Sequence, residues 1–264
     1  MDKVVDYLTE SKSSELYKCF LEHRPTKQLH NYIPLFVRHF EPVRLDVTRV
    51  LEIGVEAGTS LRMWADYFPN AEIVGFDIDP RCKIHETDRI KVIIGDQTKE
   101  DDLRRMPGAF DIIIDDGLHT QKAQMETFAF LYREKMSRRG IYVVEDCEKR
   151  VQTINYFKNL ANMINWWPDD VHPSDWPKLN DLEAYLQTDS ASPEAGDDRF
   201  YVRHTVGVSI YRHIIFVDRG DNPEDGTAHF RLNEKELCQK IGADRKEFLD
   251  LPGARPESLS PPAP

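Results

Sequence analysis

The sequence predicts an α/β fold on a mostly parallel sheet, with an antiparallel hairpin at one edge and helices ahead of the first strand. Three observations point there. From Arg49 onward, short apolar runs rich in β-branched residues occupy 49–53, 72–77, 90–94, 110–115 and 141–145, with helical or turn segments between them. Two of these runs close on acidic pairs, Asp115-Asp116 and Glu145-Asp146, at the carboxyl ends where parallel sheets bind ligands. Finally, 206–210 and 214–217 read as a hairpin of the kind that gives a mixed sheet its antiparallel edge.

In chain order, residues 1–45 read as an N-terminal helical segment or lid. Val5, Leu8, Leu16, Cys19 and Phe20, then Tyr32, Phe36, Val37 and Phe40, recur at roughly helical spacing. The main domain is expected over 46–250. Its first strand runs into Gly54-Val-Glu-Ala-Gly58-Thr-Ser60 and an amphipathic helix through Trp64. Glycines let backbone approach a ligand, Thr59 or Ser60 can cap the helix, and the helix amides suit an anionic group. The spacing is GxxxG and lacks the GxGxxG that packs a pyrophosphate, so a cofactor without one is favoured.

The second run ends on Asp77, about 20 residues past the glycine loop, where a carboxylate meets ribose hydroxyls. The third ends on Gly95-Asp96-Gln97, an acid and an amide suited to the amino edge of adenine. After Gly117 a helix presents Met125, Phe128, Ala129 and Tyr132 on one face, and Arg138, Arg139 and Gly140 read as its cationic last turn and stop. Another amphipathic helix covers 151–164 through Ile154, Phe157, Leu160, Ala161 and Ile164. An irregular insertion is expected over 165–200, with Trp166, Trp167, His172 and Trp176 as a candidate acceptor wall, and a disordered Pro-rich tail over 251–264.

Composition narrows the function. A chain of 264 residues with 40% hydrophobic residues can build one α/β domain with additions. The net charge of -11 argues against a nucleic-acid footprint or an anionic membrane surface and leaves a small-molecule substrate. Cys19, Cys82, Cys147 and Cys238 have no CxxC spacing, so reduced thiols are expected. No leader pattern or membrane-length apolar run is present, which gives the expectation of a soluble cytoplasmic protein. A homo-oligomer, dimer or higher, is also expected.

The chemistry gathers at the acidic pairs. Asp115, Asp116, Glu145 and Asp146 offer hard oxygen donors, which suit magnesium or calcium over zinc. Carboxylates at neighbouring strand ends, about 4.8 Å apart, can share one ion. His119, three residues past Asp116, can serve as a base near neutral pH.

The ordered set Leu-Glu52-Ile-Gly54-Val, Ser60-Leu-Arg-Met-Trp64, Gly-Asp96-Gln97, Asp115-Asp116-Gly-Leu-His119 and Val-Glu145-Asp146 resembles the magnesium-dependent sugar O-methyltransferases of macrolide and aminocoumarin biosynthesis, the macrocin and mycinamicin type. The similarity runs from about Lys27 to Asp146. It implies a class I methyltransferase Rossmann-like fold, S-adenosylmethionine and magnesium as cofactors, and a glycosylated small-molecule acceptor. By that resemblance Asp116, Glu145 and Asp146 match metal-ligand positions and His119 matches the general base. Glu52, with Gly54, Gly58 and Ser60, falls near the methionine part of the cofactor. Asp115 is its neighbour, and Lys27 and His30-Asn-Tyr32 resemble a segment that closes over it. Alanine precedes Gly58 where a double glycine is commoner, and Leu118 stands where a small polar residue is frequent.

Rival readings are a catechol or polyphenol O-methyltransferase and a non-catalytic, cofactor-binding protein of the cephalosporin hydroxylase-like kind. A nicotinamide oxidoreductase is disfavoured by the missing GxGxxG and the paired acids.

Overall fold

The computed structural model describes residues 12–28, 31–147, 150–164, 200–201 and 204–220. Its strands are β1 (Arg49–Ile53), β2 (Glu72–Asp77), β3 (Ile90–Ile94), β4 (Phe110–Asp115), β5 (Met136–Val144), β6 (Thr205–Ile210) and β7 (Ile215–Arg219). They form one seven-stranded sheet in the order β3-β2-β1-β4-β5-β7-β6. β1 to β5 pair in parallel, while β7 runs antiparallel to both β5 and β6. The expected hairpin is therefore present, and its second strand is the inner one. Burial explains that order: Ile215, Phe216 and Val217 are fully covered, whereas β6 carries the exposed Val206 at the sheet edge.

Val50 to Ile53 are buried on both sides, so after Arg49 the strand β1 is an apolar run broken only by the buried charge of Glu52. Ile53 pairs with Phe76 on one side and Asp115 on the other. β1 and β4 flank the point where chain order reverses, which opens a crevice at their carboxyl ends.

The helices are α1 (Glu15–His23), α2 (Ile33–Phe40), α3 (Thr59–Tyr67), α4 (Glu100–Arg104), α5 (Gln121–Glu134) and α6 (Val151–Ile164). Ser14 caps α1 by accepting from the Tyr17 amide, and Thr120 caps α5 from Ala123. One face of the sheet carries α1, α2 and α3: Leu16, Phe20, Phe36 and Phe40 share a core with Trp64, Val50 and Phe216. Phe36 meets Trp64 and Phe216 edge-on at 5.2 and 5.7 Å. The N-terminal helices thus form part of the main core. The other face carries α5 and α6 through Phe128, Leu131, Tyr132 and Phe157 against Leu51, Ile113 and Val144.

One expectation is corrected. α5 ends at Glu134, and Arg138, Arg139 and Gly140 lie inside β5. The pairing of β4 with β5 jumps from Phe110–Met136 to Ile112–Ile141, so residues 137–140 bulge out of the ladder. Ser137 Oγ holds the bulge on Asp111 Oδ1 at 2.9 Å, and a Cβ on Gly140 would come within 2.5 Å of the Asp111 carbonyl oxygen. The glycine answers a close approach of strands. Val5, Leu8, His30, the 165–199 part of the insertion with its tryptophans and His172, Cys238 and the 251–264 tail lie outside the described residues. Among the described residues no helix is long and apolar enough to cross a membrane.

Candidate active site

The loops after β1, β2, β3 and β4 enclose a cavity of about 770 Å³. Gly54, Ser60, Asp77, Asp96 and Gln97 line it, and so do Asp116, His119 and Asp146. Glu52, Gly58, Asp115, Glu145 and Tyr32 stand behind that lining. Gly54 makes the crevice possible. Its φ is +90°, and a Cβ there would lie 2.1 Å from the Asp116 carbonyl oxygen, so the β1 and β4 loops touch backbone to backbone.

The helix cap differs from expectation. Gly58, with φ +63°, is the N-cap of α3, and no side chain caps it. Ser60 is already inside the first turn, and its hydroxyl donates to Glu52 Oε2 at 2.7 Å. Neither Thr59 nor Ser60 caps the helix, and its first-turn amides face the cavity end without a side-chain acceptor.

Asp77 Oδ2 accepts from the Val55 amide at 2.7 Å and Oδ1 from the Asp79 amide at 2.8 Å. Asp77 therefore shapes the glycine loop while keeping lone pairs for a ligand. Asp96 accepts from the Thr98 amide and hydroxyl, which hold its carboxyl below its ordinary pKa. Gln97 ties the lining together: Nε2 donates to Asp115 Oδ1 and Thr127 Oγ1, both at 3.2 Å, and Oε1 accepts from the Leu118 amide at 2.6 Å. Its amide is committed to the scaffold. Burial pushes the Asp115 carboxyl up to about 7 against the opposing Gln97 hydrogen bond.

At the open end, His119 Nε2 lies 3.7 Å from Asp116 Oδ1 and 3.6 Å from Asp146 Oδ2. These gaps are too long for direct hydrogen bonds and of a width that a water or an ion bridges. His119 Nδ1 is buried and makes no hydrogen bond. His119 and Asp146 adopt φ of 56° and 53°, uncommon for residues with a side chain, so the turns themselves aim both groups. Gln124 on α5 supports one turn by donating to the Glu145 carbonyl at 2.9 Å.

Glu145 is turned away from this opening. Its Oε1 accepts from Lys27 Nζ at 2.6 Å, and the same ammonium is 2.8 Å from Asp116 Oδ2 and 2.9 Å from Glu52 Oε1. Lys27, in the short turn Thr26–Gln28 between α1 and α2, is almost wholly buried. Burial alone would lower the ammonium pKa, but Asp116, Glu145 and Glu52 outweigh it and hold Lys27 well above its ordinary value. Burial raises both glutamates, and Asp116 adds repulsion at Glu145. Tyr32, at the start of α2, donates its hydroxyl to Asp146 Oδ1 at 2.8 Å, and the His213 carbonyl lies 3.1 Å from the same hydroxyl.

The cluster around Lys27 is the part that residue-by-residue reading of the sequence missed. The available clue was Glu52, the one buried charge in a strand that is apolar after Arg49.

Asp116, His119 and Asp146 offer ligand atoms within 4.8 Å of one another, and so do Glu52, Asp116 and Glu145. The first group opens on the cavity and has two hard-oxygen donors, the set that magnesium favours.

A family model described as a methyltransferase domain matches residues 51–147. Mycinamicin VI 2''-O-methyltransferase from Micromonospora griseorubida is 33% identical over 209 residues, covering 75% of this chain and 50% of that protein. The 8-demethyl-8-(2-methoxy-alpha-L-rhamnosyl)-tetracenomycin-C 3'-O-methyltransferase from Streptomyces olivaceus is 32% identical over 223 residues, covering 76% of this chain and 52% of that protein. The chain spans about half the length of these curated relatives. Among solved structures, the MycE methyltransferase from the mycinamycin biosynthetic pathway, in complex with Mg and SAH, aligns with a TM-score of 0.63 and 27% identity, covering 83% of this chain and 58% of that one. With the strand order above, the fold is the class I Rossmann-like methyltransferase fold.

Proposed function

This chain is a relative of the natural-product sugar O-methyltransferases, with a methyltransferase domain at residues 51–147, and from that premise we propose that it methylates a sugar hydroxyl of a glycosylated small molecule. The methyl donor in this reading is S-adenosylmethionine, and the ion is magnesium. One observation carries it: Asp116, His119 and Asp146 meet at the mouth of a cavity formed at the carboxyl ends of the strands.

The cavity supports the donor in three ways. Gly54 lets the loops after β1 and β4 meet and so shapes the cavity wall, the uncapped amides of α3 suit the donor's carboxylate, and Asp77 has lone pairs left for ribose hydroxyls. Asp96 and Gln97 lie along the same wall, which supports the reading that puts the adenine beside them. Glu52, Gly58, Asp115 and Tyr32 act on the cofactor only through the lining they support.

Asp116 and Asp146 are the residues that would hold magnesium. Glu145, the third ligand by resemblance, acts through the cluster it shares with Asp116. When bound, the ion supplies charge that acidifies an acceptor hydroxyl and orients a vicinal diol. His119 Nε2, which faces both aspartates, then accepts the hydroxyl proton. The sulfonium methyl is electrophilic already, so alignment and deprotonation are the protein's main tasks. Ile78 and Leu118, both exposed on the cavity lining, offer apolar surface to the acceptor.

The test is incubation with S-adenosylmethionine and magnesium against glycosylated natural products, with catechols in the same panel, read as a mass gain of one methylene. Methylation of a sugar hydroxyl supports the reading. Methylation of catechols alone moves the chain to the polyphenol enzymes, and cofactor binding without turnover on any acceptor removes catalysis.

A further inference from the structure

We propose that Lys27 is a built-in cation: its ammonium fills the inner cluster of Glu52, Asp116 and Glu145, so that this cluster takes no metal and any divalent ion is confined to the outer pair, Asp116 and Asp146. The confinement to the outer pair rests on the metal reading above. The filling of the inner cluster does not.

Two carboxylate groups with metal-compatible spacing share Asp116, one deep and one at the cavity. The deep group has two acids buried to within 1% exposure, Glu52 and Glu145. Buried carboxylates so close together are unfavourable without a positive charge among them. Lys27 Nζ supplies it at 2.6, 2.8 and 2.9 Å from the three carboxylates. The ammonium hydrogen-bonds Asp116 and Glu145 and pairs by charge with Glu52 at 2.9 Å, so one cation answers all three carboxylates. The position is the one a divalent ion would need, and the two cations exclude each other there.

Filling the deep group also sets Asp116. Lys27 engages Oδ2, and Oδ1 is left toward His119. Lys27 is therefore a positioning residue, touching neither acceptor nor donor.

The experiment counts Mn²⁺ ions on the full, metal-free chain by calorimetry and electron paramagnetic resonance, comparing the wild type with Lys27→Ala and Lys27→Met. Lys27→Ala removes the ammonium and opens space; Lys27→Met removes it and keeps the space filled. The expected result is one more ion on Lys27→Ala than on the wild type, and none added on Lys27→Met. Equal counts on Lys27→Ala and the wild type overturn the proposal, as does an extra ion on Lys27→Met. Where the alanine variant folds only with metal, the melting temperature decides. A rise in Mn²⁺ larger for Lys27→Ala than for Lys27→Met supports the proposal, and equal rises overturn it. The wild-type count tests the metal reading separately. A wild type that binds no ion removes magnesium from the proposed function, while the gain of one ion on Lys27→Ala still stands or falls by itself.

Discussion

Tyr32 donates its hydroxyl to Asp146 Oδ1 at 2.8 Å, and this leaves Oδ2 as the Asp146 oxygen turned toward His119 at 3.6 Å. Lys27 does the same to Asp116, taking Oδ2 and leaving Oδ1. Both aspartates at the cavity mouth are thus held by residues of the connection between α1 and α2. Tyr32→Phe keeps the buried ring and deletes one charge-assisted hydrogen bond. It should cost roughly 1.5–3 kcal/mol of stability by denaturant unfolding, and weaken Mn²⁺ binding with cofactor affinity less affected. Unchanged Mn²⁺ affinity would separate Tyr32 from the metal site.

Removal of the proposed base has a split signature. His119→Ala should leave the S-adenosylhomocysteine dissociation constant within about twofold and slow methyl transfer by roughly 10²-fold or more. Full turnover in the variant would take the role of base away from His119.

Gly54 tests the contact between loops. Gly54→Ala places a Cβ where the Asp116 carbonyl now sits and forces a side chain into φ +90°. The strain should exceed about 1 kcal/mol, and S-adenosylhomocysteine should no longer raise the melting temperature, as it is expected to do for the wild type while NAD does not. A normal shift in the variant would mean that the cofactor lies elsewhere.

His39 gives the pH dependence of stability away from the site. Its ring stacks on Phe216 at 4.0 Å and shares a 3.1 Å hydrogen bond with the Tyr211 hydroxyl. Burial, aided by Arg38, brings its pKa from 6.5 down to about 4. Between those values the unfolded chain binds the proton and the folded chain does not. The His39 contribution is therefore complete above pH 6.5 and is lost as pH falls through about 4. His39→Phe keeps the stack and cannot protonate, so its unfolding free energy should fall less steeply over that interval. Parallel curves for variant and wild type would contradict this.

The strands were legible because each is a short apolar run bounded by turn residues, and four of the parallel strands match the expected bounds residue for residue. Arg138-Arg139-Gly140 misled because a bulge glycine and a helix-stop glycine look alike in sequence. Asp77, Asp96, Asp116 and Asp146 were legible as acids at strand ends, and parallel topology brings them to one edge. The inward turn of Glu145 was not. It depends on Lys27, 118 residues away, and no local pattern announces so distant a pairing. Glu52 and Tyr32, expected near the cofactor, hydrogen-bond Ser60 and Asp146, pairings that no local pattern announces either.

The central claim is metal-assisted methyl transfer at Asp116, His119 and Asp146. Its most direct measurement is single-turnover transfer from labelled S-adenosylmethionine to a glycosylated acceptor, for the wild type and for Asp116→Ala and Asp146→Ala, with magnesium and with EDTA. The account predicts transfer by the wild type with magnesium, loss of it in EDTA with recovery on adding the ion back, and no magnesium-dependent transfer in either variant. Transfer by the wild type that EDTA leaves untouched would contradict it.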